Sequence, residues 1–70
     1  MDMIEIREEN VTIKLSKDEL GTLANALNEI CNGIEIWEFE TRIGATVEEV
    51  RLILESLSNI YFEMKRKNNY

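Results

Sequence analysis

Two capping boxes constrain this chain more than any other feature. Ser16 is followed three residues on by Glu19, and Thr46 three residues on by Glu49. In such a box the hydroxyl and the carboxylate each accept from the other residue's backbone N–H, so a helix start is specified locally. After Ser16 the apolar residues Leu20, Leu23, Ala24, Leu27, Ile30 and Cys31 recur at three and four, and Leu15 can staple onto Leu20. The spacing predicts a helix from about Lys17 to Cys31, with Asn32-Gly33 as a left-handed stop. After Thr46, Val47, Val50, Leu54, Leu57, Tyr61 and Met64 form a second stripe, widened by Ile53 and Ile60. This helix is expected over about 46–66 and is broad enough in its apolar face to touch two neighbours. Glu48 and Glu55 stand at ion-pairing distance along it from Arg51, and Lys65-Arg66-Lys67 suits its negative end. Residues 67–70 read as a frayed tail.

The segment before Ser16 alternates. Ile4 and Ile6 share one side, as do Val11, Ile13 and Leu15 after Glu8-Glu9-Asn10. That predicts a hairpin over about 3–15, with Asn10 suited to a left-handed turn position. Two strands alone are marginal in water, so the apolar face of the hairpin is expected on the helices. Between the helices, Ile36, Phe39 and Ile43 fit helical spacing, whereas Ile34-Glu35-Ile36 alternates like a strand. The reading adopted is a short helix from about Trp37 to Ile43, ended by Gly44 as C-cap. The expected fold is α+β: an N-terminal β-hairpin followed by three helices (ββααα), one small domain spanning 1–70.

At 70 residues, folding buries only about 60% of the unfolded surface, so the core is small. Disulfides, metals and self-association are the usual remedies. Cys31 has no second cysteine, which leaves oligomerisation or a tight partner. It lies on the apolar face of its helix, where a thiol is ordinarily inert packing. The start, Met1-Asp2-Met3-Ile4-Glu5, lacks a basic region and apolar core of the secretory kind, and the expected location is cytoplasmic. No apolar run approaches the roughly 20 residues of a membrane span.

Charge narrows the function classes. The chain carries a net charge of −6 and no histidine, and from Asp18 to Glu63 ten acids face only Arg42 and Arg51. Such a balance selects basic partners and disfavours nucleic acid and anionic lipid. Ile43-Gly44-Ala45-Thr46 has the look of a helix-turn-helix turn, but the following helix would offer Glu48, Glu49 and Glu55 to phosphate. The missing histidine removes the commonest proton-transfer group and metal ligand. Asp18-Glu19 and Glu48-Glu49 are explained by the helix dipole, and a glycosidase pair about 5 to 10 Å apart across a cleft is hard to build at this size. Calcium-loop spacing is absent. No catalytic residue, metal ligand or cofactor is assigned.

The candidate partner-binding residues are Glu35, Glu38 and Glu40 around Trp37, joined by Glu29 and by the strip Asn25, Asn28 and Asn32 on the first helix. The carboxylates would meet Lys or Arg of a partner, with Trp37 as an amphipathic anchor. The plainer reading makes Trp37 the largest core residue, and it weighs more heavily in a domain this small. The asparagines, poor helix formers, either bond outward or are a solvated face, with Asn28 the one expected to be partly buried.

The stretch from Asn25 to Ile34, NALNEICNGI, followed by Glu38-Phe-Glu-Thr-Arg-Ile-Gly44 and a capped helix, resembles a group of short acidic bacterial proteins. Some of these resemble immunity proteins of polymorphic or contact-dependent toxin systems, which cover the active site of a basic toxin, often a nuclease. The resemblance spans about Ser16 to Leu57 and excludes the hairpin. It implies for Asn25, Asn28, Asn32, Glu38, Glu40, Thr41 and Arg42 either a shared fold signature or a shared contact surface, and brings no catalytic signature. The expectation is a non-enzymatic acidic binding protein, an immunity or antitoxin-like inhibitor. The alternative is a homo-oligomeric structural or regulatory module, a homodimer through the apolar face of the C-terminal helix.

Overall fold

The capping boxes form as the spacing requires. Ser16 Oγ accepts from the Glu19 N–H at 3.1 Å while the Glu19 carboxylate accepts from the Ser16 N–H at 2.9 Å. Thr46 and Glu49 repeat the exchange at 3.2 and 3.0 Å. In the computed structural model, which describes residues 1–67, the chain runs β1 (Asp2–Ile6), β2 (Val11–Lys14), α1 (Lys17–Asn28), a π-helical turn (Glu29–Gly33), α2 (Phe39–Ile43) and α3 (Val47–Lys67). A two-stranded antiparallel hairpin followed by three helices makes this a small α+β domain. Of the expected tail, Lys67 closes α3, and 68–70 lie outside the described residues.

The end of α1 differs from expectation. Gly33 and Asn32 do not take left-handed angles; the helix widens into a π turn in which the Ile34 N–H donates to the Glu29 carbonyl at 3.0 Å. A Cβ at Gly33 would collide with the Glu29 carboxylate, so the glycine leaves room for that side chain to lie against the backbone. Gly44 does end α2 as a left-handed C-cap, at φ 85°, its N–H donating to the Glu40 carbonyl at 2.8 Å.

Helices α1 and α3 pack antiparallel. Near the start of α1, Gly21 lies so close to Tyr61 that a Cβ would sit 3.3 Å from its ring, and Lys17 Nζ stands 6.0 Å over that ring. At the other end Arg51 Nη2 donates to the Cys31 carbonyl and to Asn32 Oδ1, each at 3.5 Å. Arg51 therefore reaches across to α1 instead of pairing with Glu48 or Glu55. Leu20 and Val50, each 3% exposed, are the only fully buried residues among those described. Ala24, Leu27, Ile30, Cys31, Leu54, Leu57, Tyr61 and Met64 are half-buried around them.

The hairpin corrects three expectations. Its pairs are Asp2 with Lys14, Met3 with Ile13, Glu5 with Thr12 and Ile6 with Val11, with a bulge at Ile4. The extra residue resets the alternation, so that Met3, not Ile4, shares a face with Ile6, Val11 and Ile13. Asn10 closes the turn by accepting from the Arg7 N–H at 2.9 Å without left-handed angles. The apolar face so formed was expected on the helices, yet the hairpin does not pack on them and Met3, Ile6, Val11 and Ile13 are exposed. The cause is local. Only Leu15 and the extended Ser16, held at φ −71° and ψ 163° by its cap, join β2 to α1. The Met1 ammonium meanwhile bonds Glu19 at 2.8 Å, which pins the base of the hairpin to the first turn of α1. The molecule is a slab of 42 × 32 × 16 Å.

Candidate functional site: an acidic connector around Trp37

The antiparallel helices bring the end of α1, the connector and the start of α3 to one end of the slab. Six carboxylates gather there, Glu29, Glu35, Glu38, Glu40, Glu48 and Glu49, against Arg42 and Arg51. The opposite end holds Lys17, Lys65, Arg66 and Lys67 with Asp18, Glu19 and Glu63. The negative charge of the chain is therefore concentrated by topology.

Not all of these carboxylates are free. Glu49 is committed to its cap, where bonds from the Thr46 backbone and then the Thr46 hydroxyl hold its carboxyl below the usual range. At the far end Glu19 is held down at about 2, first by the Met1 ammonium and then by the Ser16 backbone. By contrast, Glu29, Glu35, Glu38 and Glu40 are exposed, and none enters an ion pair among the described residues. No three acidic or thiol side chains converge as metal ligands among those residues, and no described helix is long and apolar enough to cross a membrane.

Trp37 stands in the middle of these acids and is 77% exposed. It is not the core residue that its size suggests. Ile36 and Phe39, half-buried, hold the connector instead, while Ile34 and Ile43 are further exposed apolar side chains of the same stretch. The short helix begins at Phe39 and not at Trp37, because Trp37 and Glu38 form a turn. Within it Glu38 has φ 51° and ψ 50°, the one non-glycine left-handed residue among those described. Its carbonyl accepts from the Arg42 N–H at 3.0 Å, closing the first turn of α2. A glutamate in this conformation is sterically disfavoured, and such outliers concentrate where a backbone is held for function. The neighbouring π turn is a second departure of that kind.

The asparagine strip divides. Asn32 Nδ2 donates to Asn28 Oδ1 at 3.1 Å, and Asn32 also accepts from Arg51, so this pair ties α1 to α3. Asn28 is exposed, not partly buried as expected. Asn25, a turn earlier, lines with Asn28 and Phe62 a shallow groove of about 280 Å³ between the helices, floored by Ala24, Leu54 and Tyr61. The structure thus brings Glu29, Glu35, Trp37, Glu38 and Glu40 to one end, sets Asn28 and Asn32 beside them as structural links, and leaves Asn25 on the groove. Ile34 and Ile43 were missed from the sequence. Nothing local marked them as exposed: Ile34 alternates in step with the half-buried Ile36, and Ile43 keeps helical spacing with the half-buried Phe39.

Comparison with family models, curated proteins and solved structures returned no significant match to the chain.

Proposed function

We propose that this chain is a non-enzymatic binding protein that covers a basic surface of another protein, an immunity or antitoxin-like inhibitor of a toxin such as a nuclease. The supporting observation is Trp37, the most exposed large apolar side chain among the described residues, set amid four carboxylates with no intramolecular partner. Exposed tryptophan is an expensive surface residue and the commonest kind of anchor. In this reading the anionic end steers the chain toward Lys and Arg on the partner, which raises the association rate at low salt. Trp37, Ile34 and Ile43 then bury against the partner while Glu35, Glu38 and Glu40 form charge-assisted hydrogen bonds around them. Inhibition follows from occlusion of a cationic substrate-binding cleft, without chemistry at this chain.

Capture from the native host tests the reading. The wild-type chain should retain a basic protein, and Trp37→Ala should weaken that complex by about 2 kcal/mol or more, roughly 30-fold. Replacing Glu35, Glu38 and Glu40 together by glutamine should slow association and flatten its dependence on ionic strength. An association rate indifferent to salt, or a complex untouched by Trp37→Ala, would overturn it.

A further inference from the structure

The helix pair has two faces of opposite character. The groove on one side is lined by Gly21, Asn25 and Asn28, each one residue past the contact positions Leu20, Ala24 and Leu27, and by Ser58 and Phe62, one past Leu57 and Tyr61. An antiparallel pair is related by a two-fold axis normal to its plane, so equivalent flanks of both helices share a side. The residues three past the contact positions must then share the opposite side: Leu23 and Ile30 on α1, Ile53 and Ile60 on α3. Leu23 is 38% exposed, and Ile53 and Ile60 each 52%. The next positions outward are Ala26 and Ser56, both small. Ser56 Oγ donates to the Leu52 carbonyl at 3.1 Å, so its hydroxyl hydrogen is satisfied by its own helix. In a chain that is 31% charged, the middle of this face carries no charge; at its Leu23 end the Met1 ammonium and the Glu19 carboxylate pair with each other at 2.8 Å.

We infer that a second copy of this chain covers the Leu23–Ile30–Ile53–Ile60 face of the helix pair. The area identifies the occupant. The chain exposes 6013 Å², whereas a compact monomer of 8.2 kDa exposes about 4,500 Å². Its radius of gyration is 13.9 Å against about 11 Å for a compact chain of this length. The excess of about 1,500 Å² per chain, shared between this face and the uncovered hairpin, comes to about 3,000 Å² for two chains and falls within the roughly 2,000–5,000 Å² of obligate homodimers. Electrostatics permits the pairing: two chains of net charge −6 meet through a surface whose middle is uncharged and whose Leu23 end holds the ion-paired Met1 ammonium and Glu19, and the acids of the connector end stay in water. The amphipathic hairpin, whose apolar face has no cover within the chain, gains one in the same assembly.

Light scattering of the isolated chain tests this directly. The wild-type protein should have twice the chain mass, and its melting temperature should rise with concentration. Ile53→Glu should raise the dimer dissociation constant by about 30-fold or more. Ser56→Glu, at an exposed position with no role in the single-chain interior, should do the same, while Phe62→Glu, at an exposed position on the groove side of α3, and Trp37→Ala should leave the dimer intact. A wild-type chain that stays monomeric at high micromolar concentration, or a dimer unmoved by Ser56→Glu, overturns the inference. A dimer broken by Trp37→Ala also overturns it and assigns the contact to the connector.

Discussion

A glutamate at φ 51° and ψ 50° brings its Cβ toward the following carbonyl oxygen, a penalty of roughly 1–2 kcal/mol that glycine escapes. Glycine at that position also has more freedom to lose on folding, about 0.5–1 kcal/mol. The difference predicts that Glu38→Gly stabilises the chain by about 0.5–1 kcal/mol, read as a rise in the urea midpoint at unchanged slope. On the proposed function the same variant binds the basic partner more weakly, so stability and binding move in opposite directions. Gly44, at φ 85°, is the converse case. Gly44→Ala should lower stability by about 1 kcal/mol or more, although nothing lies within 4 Å of the added methyl, because the strain is in the backbone. Both residues were conspicuous in different degrees. Gly44 announced itself as the glycine set directly between the short-helix and long-helix patterns, whereas a left-handed glutamate has no local signal.

At the scale of elements, what was legible was what depends on neighbours in sequence. The boxes at Ser16–Glu19 and Thr46–Glu49 fixed both long helices because their donors and acceptors are three residues apart. Thr46→Ala should therefore cost about 1 kcal/mol of stability. The Glu49 carboxyl is depressed in the folded chain, so the folded state binds its proton less readily than the unfolded state does. Its contribution is fully present above pH 4.5, the ordinary value, and is lost as the pH falls below it. Urea titrations across that range should show a shallower loss for Glu49→Gln than for the wild type. The packing of the hairpin was not legible. Period-two alternation shows that a face is apolar but not what covers it. The bulge at Ile4 and the two-residue link through Leu15 and Ser16 decided the outcome. The connector was half legible for the same reason: its acids could be counted, but whether Trp37 turned in or out depended on Ile36 and Phe39 taking the anchoring places.

At the scale of the whole molecule, a slab only 16 Å thick keeps the two proposed contact surfaces apart. One broad side of the helix pair is apolar at its middle, one end is strongly anionic, and Trp37 stands at that end. The proposed binding requires a tryptophan held in water within a negative field, and the fluorescence of this chain reports on it alone because it has no other tryptophan. The decisive measurement is quenching of that emission by caesium and by iodide at equal ionic strength. Water-like emission, quenched strongly by the cation and weakly by the anion, is the predicted result. A blue-shifted emission resistant to both ions, or iodide quenching equal to that of caesium, would contradict it.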